Sequence, residues 1–122
     1  MNLGEYAESL FTTICIREGY TVSKPFYHEI RYDLVVDVNN ALQRVQVKST
    51  DHVRPKDNQC KVRVNYNKKE VDWFAIYIHK TNHWFVLPID VVEDIRQFSI
   101  KLGYKSKYDI FKNNFGFVRH GF

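Results

Sequence analysis

Asp33 and Lys48 stand near the two ends of the stretch from Tyr32 to Ser49, YDLVVDVNNALQRVQVKS, in which two apolar runs are joined by Asn39-Asn40. Asparagine tolerates positive φ, so the Asn-Asn pair reads as a turn and the two runs as the strands of a hairpin. A turn centred there pairs positions whose numbers sum to about 79, which sets Asp33 opposite Gln46 and within a residue or two of Lys48. The carboxylate and amide oxygens are ligands suited to a hard divalent cation, while the ammonium steadies developing negative charge or orients a water. Phosphodiester hydrolysis asks for such a set: something to activate water and something to neutralise phosphate oxygens. The plainer reading of the same spacing is a salt bridge between Asp33 and Lys48, and spacing alone leaves both open.

The elements that would hold these residues follow from periodicity. Leu3, Ala7, Leu10, Phe11, Ile14 and Cys15 recur at helical spacing, with Asn2 placed to cap the start and Gly19 placed to end the run, which predicts a helix over residues 3–18. TVSKPF reads as a short strand closed by Pro25, and YHEIRYDLVVDV as the first arm of the hairpin. In the second arm Leu42, Arg44, Gln46 and Lys48 alternate with Ala41, Gln43, Val45 and Val47. TDHVRPKDNQ is a loop and CKVRVNYN a short strand. WFAIYI, in the run before the Lys80-Thr81-Asn82 turn, is continuously apolar, as a central strand covered on both faces would be. VVEDIRQFSIKL is expected to hold one or two helical turns before Gly103, and SKYDIFKNNFGF a second short helix capped by Ser106. The fold class is α/β: a small mixed β-sheet flanked by helices.

At 122 residues the chain is expected to be one domain spanning 1–122, and its 44% hydrophobic and 16% aromatic content excludes a disordered tail as the main content. No apolar stretch reaches membrane-spanning length, and MNLGEYAESLF lacks the basic and apolar regions of a signal peptide. A soluble, intracellular protein with no membrane partner is expected. Cys15 and Cys60 form no CxxC pattern and read as unpaired thiols. The net charge of +4 is unevenly spread: from Arg44 to Lys69 eight Lys or Arg face only Asp51 and Asp57, while the rest of the chain is net negative. That asymmetry points to a polyanionic partner, with a solvated basic loop as the alternative.

Glu8 in the first helix, Asp33 opening a strand and Gln46-Val47-Lys48 closing the next resemble the PD-(D/E)XK nuclease superfamily over residues 3–90. The resemblance implies a restriction-endonuclease-like core of order α-β-β-β-α-β. Gly4-Glu5-Tyr6-Ala7-Glu8 is similar to the opening helix of archaeal Holliday junction resolvases, whose helix glutamate joins the metal site. Intron-encoded homing endonucleases of this superfamily resemble the chain more closely, because a glutamine can occupy the position usually held by the second acidic residue. Two departures stand out: Tyr32 replaces the proline of the motif, and Gln46 replaces its Asp or Glu. An amide oxygen ligates a metal but brings no charge.

The resemblance implies a catalytic set of Glu8, Asp33, Gln46 and Lys48. Mg²⁺ would be held by Glu8, Asp33, Gln46 and the carbonyl of Val47, with Mn²⁺ substituting and no small-molecule cofactor. Lys48 would lie near the attacking water or the scissile phosphate; an unperturbed lysine is protonated at neutral pH, so the role of base is not assigned to it. Ser49, Thr50, His52, Arg54, Lys56, Lys61 and Arg63 are expected to contact the DNA backbone with Lys68 and Lys69 behind them, and Asn58 and Gln59 to meet base edges if their loop enters the major groove. The expected function is metal-dependent cleavage of double-stranded DNA by a site-specific homing-type endonuclease. A Holliday junction resolvase and a catalytically inactive DNA-binding protein are the alternatives. One active site cuts one strand, so a homodimer or homotetramer is expected, with residues 101–122 a candidate oligomerisation or DNA-contact extension.

Overall fold

The computed structural model describes residues 2–27, 29–103 and 105–121. His28, in the first predicted hairpin arm, and Tyr104 and Phe122, in the C-terminal extension, lie outside the described residues. The chain opens with α1 (Leu3–Arg17), whose start is fixed by a capping box: the Asn2 side chain accepts the Glu5 N–H at 2.8 Å, and the Glu5 carboxylate accepts the Asn2 N–H. Its end is fixed by Gly19, whose φ of +95° is left-handed backbone that a side chain would strain. Ala7, Phe11 and Cys15, four residues apart, form its buried stripe.

Seven strands follow: β1 (Thr21–Ser23), β2 (Leu34–Val38), β3 (Ala41–Thr50), β4 (Gln59–Arg63), β5 (Trp73–Ile78), β6 (His83–Pro88) and β7 (Gln97–Lys101). Five make a sheet in the order β1-β2-β3-β5-β6, antiparallel except for β3 beside β5. The Asn-Asn turn has φ of 52° and 70° and sets the register Leu34↔Val45 to Val38↔Ala41, as the spacing requires. β5 is buried along its whole length, as its unbroken apolar run predicts.

The sheet carries a core on each face. Helix α1 covers one, where Phe11 meets Val45, Val47, Trp73 and Trp84. Strands β4 and β7 pair only with each other, and this ribbon covers the other face with Cys60, Val62, Phe98 and Ile100 against Phe74, Ile76 and Phe85. Cys15 and Cys60 are free and buried on opposite faces.

The α/β class and the mixed sheet follow the expectation, but the order α-β-β-β-α-β does not: among the described residues the second face is covered by a ribbon rather than a second α-helix. In VVEDIRQFSIKL the expected helical turns are replaced by β7, because Phe98 and Ile100 alternate with polar neighbours and find β4 as a partner; a 3-10 turn, Ile89–Val91, ends at its first residue. The C-terminal helix is a single 3-10 turn at Asp109–Phe111. Ser106 does not cap it; its hydroxyl accepts the Tyr108 N–H at 3.2 Å. The C-terminal segment turns Phe111, Phe115 and Phe117 into the core. It also closes the β6 edge, where the Asn113 N–H donates to Trp84 O at 2.7 Å and the Asn114 side chain donates to Val86 O at 3.1 Å.

Candidate active site

β2 and β3 separate at Asp33. Its main-chain N–H donates to Val45 O at 2.9 Å, the last rung of that side of the hairpin. One residue pair further on, the Asp33 carboxylate takes the place of a main-chain carbonyl, with Oδ2 accepting the Val47 N–H at 2.8 Å. This bond holds the carboxylate at the mouth of the opening and leaves Oδ1 without a protein hydrogen bond among the described residues. Burial pushes the Asp33 carboxyl above its ordinary 3.8; the Val47 N–H opposes that, the charge of Glu8 adds to it, and Lys48 and Lys24 pull it back only in part.

Glu8, on the second turn of α1, shares with Asp33 a cleft of about 550 Å³ that Glu5, Lys24, Tyr27 and Tyr32 also line. The Lys24 ammonium sits 2.5 Å from Glu8 Oε1, and this bond raises the lysine pKa. The acidic pair therefore already draws a cation from the protein itself. Asp33 and Glu8 bring carboxylate oxygens of the hard type that a divalent ion prefers to this cleft, whereas Gln46 and Val47 do not line it, and no group of three or more His, Cys, Asp and Glu side chains gathers among the described residues.

Gln46 and Lys48 project to the ribbon side of β3, in register with Phe74 and Ile76 of β5. Gln46 is buried, its amide nitrogen 3.5 Å from Val47 O. Lys48 is exposed, and its ammonium stands 6.0 Å from the centre of the Tyr66 ring. Arg31 stacks on the same ring at 4.5 Å and is anchored to Glu70 at 2.8 Å. Among the described residues no ion pair joins Asp33 to Lys48, which acts on the carboxylate through space. The simple salt bridge is therefore not what the hairpin builds. Lys24, Tyr66 and Arg31 are the neighbours that sequence reasoning missed. Lys24 and Tyr66 stand toward the ends of stretches read from sequence as short strands but lie in loops beyond β1 and β4, so no strand register places them, and only Arg31, two residues before Asp33, stood close enough in sequence to be suspected.

The basic region divides in two. Lys48, Ser49 and Thr50 at the end of β3 share a groove of about 180 Å³ with Lys61 and Arg63 of β4. Thr50 and Lys61 border a second groove with His52, Arg54 and Gln59. Arg54 is paired with Asp57 and also donates to Gln59 Oε1 at 3.2 Å, so neither Arg54 nor Gln59 is wholly free. Lys56 is exposed in the turn. Asn58 has φ of 55° and builds that turn, its N–H donating to Arg54 O and its own carbonyl accepting the Leu102 N–H. Lys68 and Lys69 are not brought to this surface: their carbonyls accept from Arg44, near the opposite end of β3.

A family model described as PD-(D/E)XK endonuclease matches residues 1–109. Among solved structures, a bacterial homing endonuclease superposes with a TM-score of 0.76 at 24% identity, over 91% of this chain and 84% of that one. The Holliday junction resolvase of the archaeal hyperthermophile Archaeoglobus fulgidus superposes with a TM-score of 0.56 at 12% identity, over 83% of this chain and 85% of that one. At these identities the likeness is one of fold. No curated protein matches the chain.

Proposed function

The chain belongs to the PD-(D/E)XK endonuclease family, and we propose that it is a divalent-metal-dependent enzyme that hydrolyses phosphodiester bonds in double-stranded DNA at specific sites, in the manner of a homing endonuclease. The observation that carries this reading is the Asp33 carboxylate, fixed by the Val47 N–H where two strands part, in one cleft with Glu8 and within electrostatic reach of Lys48. Glu8, Asp33, the Gln46 amide oxygen and the Val47 carbonyl are the residues that would hold Mg²⁺, or Mn²⁺ in its place. A bound divalent ion supplies charge against the phosphate oxygens and lowers the pKa of water.

The chain's own groups divide the remaining work. Lys48, its ammonium beside the Tyr66 ring, meets charge developing on a phosphate oxygen. Lys24 holds Glu8 and offsets the repulsion between Glu8 and Asp33. Ser49, Thr50, Lys61 and Arg63 line the groove that leads away from Lys48 and are placed to meet the DNA, Ser49 and Thr50 through its backbone. Gln46, neutral where a second acid is usual, favours the homing type over the resolvase.

The test is cleavage of a plasmid library, random duplex and a four-way junction in Mg²⁺ by wild type and Asp33→Ala, with EDTA controls. Site-selective duplex cleavage lost in Asp33→Ala and in EDTA is the expected result. Preference for the junction whatever its sequence would replace the homing reading by a resolvase. DNA binding without cleavage of any library member would replace it by an inactive DNA-binding protein.

A further inference from the structure

The β4–β7 ribbon buries one side and leaves the other outward, and the composition of the outward side is unusual. Alternation sends Cys60, Val62, Phe98 and Ile100 into the core and turns Gln59, Lys61 and Arg63 of β4 outward with Gln97, Ser99 and Lys101 of β7. The register sets Gln59 across from Lys101, Lys61 across from Ser99 and Arg63 across from Gln97. Each cation is thus opposite a neutral hydrogen-bonding group, and no acidic and no apolar side chain is present on that side. A merely solvated ribbon gains from mixing signs across its strands. This one carries three positive charges with no acidic residue among its outward side chains, the Asp57 carboxylate of the preceding turn reaching Lys101 only through space.

The outward side chains are also unspent. Gln59 is partly taken by Arg54. Lys61, Arg63, Gln97, Ser99 and Lys101 make no side-chain hydrogen bond or ion pair among the described residues, while the buried side fixes the strands beneath them. Arg and Lys match the acceptor edge of guanine, Gln the paired donor and acceptor of adenine, and Ser either. The size fits as well: five paired residues at about 3.4 Å each span roughly 14 Å, or about four base steps. A major groove about 12 Å wide admits a two-stranded ribbon. Lys61 and Arg63 also line the groove that holds Lys48, so a duplex lying on the ribbon passes the candidate catalytic lysine.

We propose that the outward side of the β4–β7 ribbon enters the major groove of duplex DNA and reads base edges close to the cleaved phosphate, with Lys61, Arg63, Gln97, Ser99 and Lys101 as the reading residues. This rests on the DNA-cleaving function proposed above and adds to it the recognition element and its groove. Asn58, expected from sequence to read bases, serves as turn backbone instead, and three of the five readers come from a strand that sequence reasoning took for a helix.

The first arm of the test uses the wild-type chain with uncut duplex in EDTA, so it does not depend on any variant folding. Duplex whose cytosines carry glucosylated hydroxymethyl groups, which fill the major groove, is expected to bind at least about tenfold more weakly than plain duplex. Netropsin, which fills the A·T minor groove, is expected to change binding by less than about twofold. Selection of bound sequences from a random duplex pool is then run with wild type and Gln97→Ala. The variant is expected to lose about tenfold discrimination at one base position while its salt dependence stays unchanged, since a base contact neutralises no phosphate. Displacement by netropsin with indifference to glucosylation would overturn the ribbon inference and leave the nuclease proposal standing. Failure of the wild-type chain to bind plain duplex at all would overturn both.

Discussion

At the scale of single residues the arrangement turns on Asp33, whose charged form burial disfavours. Its pKa is raised by burial, so between its ordinary 3.8 and that raised value the folded chain binds more protons than the unfolded one, and stability falls as pH rises through this window. Asp33→Asn removes the charge and keeps an oxygen for the Val47 N–H. In EDTA at neutral pH it should melt a few degrees above wild type, and the difference should vanish as the pH is lowered toward 3. Asp33→Ala should instead lose about 1–3 kcal/mol, because the Val47 N–H is left without its acceptor; urea unfolding of the three proteins decides. Lys24→Gln takes a competing cation from Glu8. Mn²⁺ titrated calorimetrically without DNA should bind about two- to fivefold more tightly, the modest gain expected where solvent screens the pair. Asp33, Gln46 and Lys48 were legible because an Asn-Asn turn fixes register, and register fixes which side chains meet. Lys24, Arg31 and Tyr66 were not, because loops carry no period from which to project a contact.

At the scale of elements, legibility followed local signals. The first helix carries its own start and stop in Asn2, Glu5 and Gly19, and Asn2→Ala should cost about 1 kcal/mol in a urea melt without moving the sheet. β7 carries no such signal. Its polar residues give no helical stripe, and its two apolar side chains identify a strand only once β4 is placed beside them. Its anchorage is correspondingly tertiary: Ile100 is fully buried, and Ile100→Ala should destabilise by about 2–5 kcal/mol. Hydrogen exchange should show the loss concentrated in β4 and β7, with α1 protected, because the helix packs on the other face of the sheet. Uniform loss of protection would instead show both faces melting as one unit.

At the scale of the whole molecule the proposed cleavage of duplex DNA raises the question of how one active site would sever two strands. The chain brings one Asp33 within electrostatic reach of one Lys48, and antiparallel DNA strands present their phosphates related by a two-fold axis, so cutting both in one encounter calls for two copies. The sheet has room for an assembly to form. Its β6 edge is closed by Asn113 and Asn114, whereas β1 has no strand beyond it among the described residues, and the nearby Phe26 is 90% exposed. Light scattering is therefore expected to give at least twice the mass of the chain at micromolar concentration. Supercoiled plasmid carrying a cleavable site should pass directly to linear DNA when the enzyme is above the concentration at which it assembles. Below that concentration nicked circles should accumulate first, because separate copies cut separate strands at separate times. Nicked circles at every concentration, from a chain whose mass stays that of one copy, would show that each domain acts alone and that paired cuts are not its product.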